Sequence, residues 1–165
     1  MLIIRLAKML MTAALAAFAI IVTYDNLIDY GSNFEFVKHV LSMDTTFPGN
    51  KLMHRALTEP AMWRLAYGAI IAAEGLTCVL LALGALAMLL ALRGPAARFN
   101  RAKVWMVAGA TAGFGVWFFG FMVVGGEYFA MWQSSTWNGQ QAAFRFYMAI
   151  LGVLIFVNQP DVDQA

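Results

Sequence analysis

Charge is scarce in this chain. Only 12% of its 165 residues are Asp, Glu, Lys or Arg, against about 25% in a soluble domain. With 62% hydrophobic residues, a core of this size cannot hide the apolar surface, so lipid must cover it. There is a single cysteine, Cys78. No internal disulfide can form, multi-thiolate zinc sites are excluded, and Cys78 reads as a buried structural thiol. Only two histidines occur, His39 and His54, and neither lies in an apolar stretch. That argues against buried bis-histidine haem ligation. No basic run tracks phosphates, and a net charge of +2 gives no reason to expect a nucleic-acid partner. P-loop, GxSxG, HExxH and kinase signatures are all missing. No nucleophile–base–orienter set stands out, so no catalytic residue, metal or cofactor is assigned, and an enzyme is the less favoured class.

What is present is four long apolar stretches, about 6–24, 61–92, 104–124 and 142–157. A bilayer core of ~30 Å needs roughly 20 apolar residues in a helix. Four strands are too few to close a barrel, so the spans must be helices. The expected fold is all-α, a four-helix transmembrane bundle forming one integral membrane domain over residues 1–165. The N-terminus resembles a secretory signal, with Arg5 and Lys8 before an alanine-rich run. The run continues through Ile20, Ile21 and Val22, longer than a signal core, and reads as a signal anchor.

Arg93, Arg98, Arg101 and Lys103 fill the connection between stretches two and three, with no acid among them. Together with Arg5 and Lys8, they place both termini in the cytoplasm of a bacterial inner membrane. A tag on Ala165 reports that orientation. The connections 25–60 and 125–141 then face outward. Ser32 and Glu35 have capping-box spacing, and Phe34, Val37 and Leu41 follow at helical intervals. This predicts a short amphipathic helix, Asn33–Met43, on the outer surface or over the bundle mouth, and a second short helix over Lys51–Leu57. Trp63 and Tyr67 fit an outer aromatic belt and Trp105 an inner one. Trp132 and Trp137 read as interface anchors, with a turn at Asn138. Small pairs, Ala13 with Ala17 and Gly109 with Gly113, suit close helix packing.

Glu74 is the sharpest lead. It lies about a dozen residues into the second stretch, so roughly 18 Å deep at 1.5 Å per residue, where a carboxylate costs a few kcal/mol. Three readings stay open. It is protonated and hydrogen-bonded to Thr12, Thr77, Thr111 or a backbone carbonyl; it pairs with a base on a partner subunit; or it belongs to a proton or ion path. On the outer face, an interaction cluster is expected from Asp29, Asn33, His39, Asp44, Arg64, Glu127, Trp132, Gln133, Trp137, Asn138 and Arg145. Arg64, Glu127 and Arg145 could knit helix ends together as an Arg–Glu–Arg group. His39 and His54 match no ligand spacing with Asp44 or Glu35.

The run from Asn26 to Asp44 (NLIDYGSNFEFVKHVLSMD) and the run from Gly125 to Gln140 (GGEYFAMWQSSTWNGQ), continuing through Ala143-Phe144-Arg145, carry a specific likeness. They resemble the signature of a bacterial family of predicted small integral membrane proteins of unknown function. Tyr128 departs from the tryptophan expected there but keeps an aromatic ring. The resemblance implies a four-helix inner-membrane protein and names no activity. Three functions remain open: an accessory subunit packing against a larger membrane complex or a homo-oligomer; a transport or channel component using Glu74; and a membrane enzyme or lipid-binding protein using a cleft under the outer cap.

Overall fold

The computed structural model describes residues 2–163; Met1, Gln164 and the tag position Ala165 lie outside them. The helices are α1 (Leu2–Ile28), α2 (Tyr30–Ser42), α3 (Pro60–Ala91), α4 (Ala96–Ala102), α5 (Val104–Phe114) and α6 (Gln140–Asn158). A π-helical segment, Gly115–Tyr128, prolongs α5. Single 3₁₀ turns occupy Met53–Arg55 and Met131–Gln133. There is no strand among the described residues. Four helical segments, Leu2–Ile28, Pro60–Ala91, Ala96–Tyr128 and Gln140–Asn158, are long and apolar enough to cross a bilayer. The fold is the expected all-α four-helix bundle.

The bundle turns many of its apolar side chains outward and buries several polar ones beside its apolar core. Leu76, Leu83, Leu90 and Phe119 are exposed, whereas Lys8, Thr12, Glu74 and Thr77 are buried. In lipid that inversion costs nothing, and close packing with hydrogen bonds holds the helices instead. On α1 the buried positions are Arg5, Lys8, Thr12, Ala16, Ala19 and Asn26. On α3 they are Tyr67, Glu74, Thr77, Leu81, Gly84, Met88 and Ala91. Both stripes repeat every about 3.5 residues, the period of coiled-coil packing. The α1 contact face is therefore Thr12, Ala16 and Ala19, not Ala13 with Ala17; Ala17 is exposed.

Glycine lets α3 and α5 approach closely. A Cβ on Gly84 would stand 2.7 Å from the Met106 backbone nitrogen, and one on Gly109 would stand 2.9 Å from that of Leu81. Gly113 is tight as well, 3.0 Å from Ile150. The two helices thus sit in each other's notches.

Sequence-based boundaries shift at the outer end. α1 runs on to Ile28, and only Asp29 separates it from α2. The Ser32 hydroxyl donates to Asp29 Oδ2 at 2.7 Å rather than capping a helix, so the capping-box start at Asn33 is replaced by a start at Tyr30. Continuous helical pairing wins because the Asp29 backbone N–H still reaches the Asp25 carbonyl at 2.8 Å. The second short helix contracts to the turn Met53–Arg55. α2 buries Val37, Val40 and Leu41 in an apolar cluster with Tyr67, Phe129 and Met131, and so closes over the bundle mouth. Tyr67 is 1% exposed and points inward, not into an aromatic belt. Trp63 donates through Nε1 to the Leu57 carbonyl at 2.6 Å.

Candidate functional site

Glu74 sits in the bundle interior, 2% exposed, on the buried stripe of α3. None of the expected threonines reaches it. Thr12, Thr77 and Thr111 each bond back to their own helix, at Lys8, Ala73 and Val107, as hydroxyls in apolar helices do. Its partner is Asn26 at the end of α1, whose Nδ2 donates to Glu74 Oε2 at 2.7 Å. Asn26 is itself buried. Its Oδ1 accepts from Asn33 Nδ2 at 2.6 Å and from the Tyr67 hydroxyl at 3.2 Å. The Tyr67 hydroxyl also lies 3.2 Å from the Asn26 carbonyl. Three helices, α1, α2 and α3, thus converge on one amide. No described residue donates to Glu74 Oε1.

This cluster lines a cavity of about 270 Å³. Its remaining walls are apolar, with four aromatic side chains, Phe36, Trp117, Phe121 and Phe146, among smaller residues such as Val22, Gly139 and Ala142. A second, larger space of about 540 Å³ opens sideways between α2, α3 and the π-helical segment. It is walled by apolar residues alone, among them Gly115, Gly120 and Gly125. These three glycines recur every five residues along the π-helical segment, whose hydrogen bonds span five residues. They form a side-chain-free strip, and a Cβ on Gly115 would meet nothing within 4 Å. Phe36, Val37, Ile70 and Phe121 line both spaces. π-helical turns are rare and favour functional sites; fourteen residues of them shape this groove.

The expected outer cluster divides. Asn33 alone joins Glu74. His39 pairs with Asp44, Nδ1 to Oδ2 at 2.8 Å, and stacks on Trp137 with ring centroids 4.7 Å apart. Gln133 Oε1 accepts from the Phe47 backbone N–H, and Trp132 meets Phe47 edge-on. Asn138 Oδ1 accepts from the Gln140 N–H at the start of α6. These contacts stitch the connections 25–60 and 125–141 into a cap. Buried Ser134 reinforces it, accepting from Thr45 Oγ1 and from the Trp137 N–H at 2.8 Å each. Asp29 stays exposed at the α1–α2 junction. Arg64, Glu127 and Arg145 are exposed, and no ion pair joins them among the described residues. The expected Arg–Glu–Arg group does not form, because each side chain turns out from a different helix end. His54 stands apart from His39, against the Lys51 carbonyl.

A second polar cluster, unforeseen, closes the opposite end. Lys8 and Lys103 both donate to Asp161 Oδ2, at 2.8 and 2.6 Å, and Arg5 Nε lies 3.5 Å from Oδ1. Arg5 also donates to the Gly94 carbonyl at 2.7 Å. Lys8 and Lys103 share the Gln159 carbonyl, and Asn100 pairs twice with the Asp161 backbone. Residues 159–161, just after α6, are thereby tied to α1, to α4 and to the α4–α5 junction at Lys103. Burial works against ionising Asp161, but hydrogen bonds from Lys103 and Lys8 outweigh it and hold the carboxyl below the usual carboxylate range.

No match was found among curated proteins or solved structures. A family model described as predicted small integral membrane protein (DUF2165) matches residues 4–160, a stretch that takes in nearly all of the four spans, the cap and the Glu74 cluster. The chain therefore belongs to this family of small integral membrane proteins.

Proposed function

We propose that this protein holds an amphipathic ligand within the membrane, the tail in the lateral groove and the head in the Glu74 cavity. The observation that carries this reading is the shared wall of Phe36, Val37, Ile70 and Phe121 between an apolar space and a polar one. Ligand pockets usually hold about 300–1,000 Å³. The groove, at about 540 Å³, falls in that range, while the cavity, at about 270 Å³, suits only part of a molecule. Of the functions left open by the sequence, this is nearest to the lipid-binding one, with Asn26, Tyr67 and Glu74 in place of the outer charges.

Gly120→Leu tests it. The new side chain enters open groove, since a Cβ there meets only the Gly115 carbonyl at 3.8 Å. Protein in lipid nanodiscs should lose at least tenfold in affinity for a diazirine-labelled acyl probe while keeping its helical content. Unchanged labelling would remove the reading.

A second reading, an accessory subunit, draws on the small residues of the same groove: Ala66, Ala69, Ala73 and Ala112 beside the glycines. Such surfaces accept a neighbouring helix. Purification in mild detergent separates the two, by recovering a stoichiometric protein partner or an amphiphile.

For orientation, the basic cluster of Arg5, Lys8, Arg98, Arg101 and Lys103 supports a cytoplasmic end in a bacterial inner membrane. Cysteines placed at Arg98 and Trp137, in a Cys78→Ala background, should be respectively protected from and open to an impermeant reagent on intact cells.

A further inference from the structure

We infer that the Glu74 cavity is a site for an organic ammonium group. This deepens the amphiphile reading and rests on it for the tail.

Among the described residues lining the cavity, Glu74 is the only acidic one and none is Lys, Arg or His. Of the side-chain donors around the space, those of Asn26, Asn33 and Tyr67 are spent within the cluster, and the Trp117 indole N–H has no partner among the described residues. The Tyr67 hydroxyl and Asn33 Nδ2 are both directed at Asn26, and Asn26 Nδ2 is spent on Glu74 Oε2. Glu74 Oε1 receives nothing from a described residue. The cavity therefore offers a carboxylate oxygen that no described side chain occupies. With Glu74 ionised, a phosphate or carboxylate head would meet a like charge in a low-dielectric setting, where repulsion is strongest. A cation meets the opposite: it supplies the counter-charge that a buried carboxylate needs.

The aromatic walls favour the same class. Phe36, Tyr67, Trp117, Phe121 and Phe146 surround the space, and ring faces attract ammonium groups, most strongly those that shed water easily. At about 30 Å³ per water, the cavity has the volume of roughly nine waters, which accommodates a substituted ammonium. Methylene carbons attached to the nitrogen would then pass along Phe36 and Phe121 into the groove.

The test uses the full chain in nanodiscs, with tritiated decyltrimethylammonium and tritiated decanol as probes of equal tail length. Wild type should retain the cation, and Glu74→Gln should weaken it at least tenfold while leaving decanol unchanged. Equal cation binding by Glu74→Gln, with decanol still bound, overturns the ammonium site and leaves the groove standing. Failure of both probes on wild type overturns the groove and this site together. Should Glu74→Gln not assemble, a decylammonium with its photoreactive group beside the nitrogen decides on wild type: labelling at Trp117 or Phe146 supports the site, and labelling confined elsewhere overturns it. Discs of phosphatidylglycerol, with and without phosphatidylethanolamine, separate the sources. Competition by the latter assigns the ammonium to a lipid head, and its absence assigns it to a free amine.

Discussion

The side-chain amide of Asn26 on α1 donates to the carboxylate of Glu74 on α3 at 2.7 Å, joining positions 48 apart in the chain. Both residues are buried, so each is the other's replacement for water. Removing one partner leaves a polar group stranded, at about 1–3 kcal/mol. Asn26→Leu should lower the unfolding free energy by that amount in detergent titrations. Adding Glu74→Leu should recover part of the loss, because two apolar groups no longer need each other. A double variant as unstable as the sum of the singles would refute the coupling.

The α3–α5 contact depends on missing side chains. Gly84→Ala sets a methyl group 2.7 Å from the Met106 backbone nitrogen, which cannot yield without moving α5. We expect a loss of about 1–3 kcal/mol, as for other overpacked interiors. Gly152→Ala, where nothing lies within 4 Å, is the control and should be tolerated. Comparable melting temperatures for the two variants would contradict this packing.

Asp161 makes the C-terminal tie sensitive to acid. Its carboxyl is held lower in the folded protein than in an unfolded chain, so the folded state binds the proton less readily. The stabilisation is complete above the ordinary aspartate value of about 3.9 and drains as pH falls below it through the folded value. Hydrogen exchange at 159–163 should be slow at neutral pH and accelerate only in strong acid. Asp161→Asn should show fast exchange at every pH, because Arg5, Lys8 and Lys103 then repel one another without a counter-charge. The loss is roughly 3–5 kcal/mol, as when one member of a buried ion pair is removed.

Ser134 holds the outer cap from inside. Ser134→Ala removes the acceptor for Thr45 Oγ1 and for the Trp137 N–H. A cost of about 1–2 kcal/mol follows from the stranded donors. Protease access across 131–139 should rise while the spans stay intact. An unchanged digestion pattern would show that the cap is held by the His39–Trp137 stack instead.

Much of the architecture is legible along the chain because each span carries its own signal. Pro60 opens α3, and Gly94 with Pro95 ends the segment that follows it. The α2 helix is visible in Phe34, Val37 and Leu41, though its start is not: local capping chemistry at Ser32 lost to helical pairing that continues from α1. The site was half legible. Glu74 announces itself by its cost in hydrocarbon, and Asn33 by its place in the outer run. Asn26 and Tyr67 do not, since an asparagine at a span end and a tyrosine near a helix start look like interface residues. Their spacing from the buried stripes of α1 and α3 was the available clue. The Arg5–Lys8–Lys103–Asp161 knot was hidden for another reason: its members read as an orientation signal, and nothing local says they share one carboxylate.

The order of apolar and polar residues along the chain alone decided that it is helical, that it has four segments fit to cross a membrane, and that one of them carries a carboxyl group. Those follow from transfer free energies, which each segment meets by itself. Which side chains face one another, and therefore the Asn26–Glu74 bond, the groove along Gly115, Gly120 and Gly125, and the tie at Asp161, came only from the packed bundle. Helices of equal greasiness have no preferred neighbour in lipid until small residues, shape and hydrogen bonds select one.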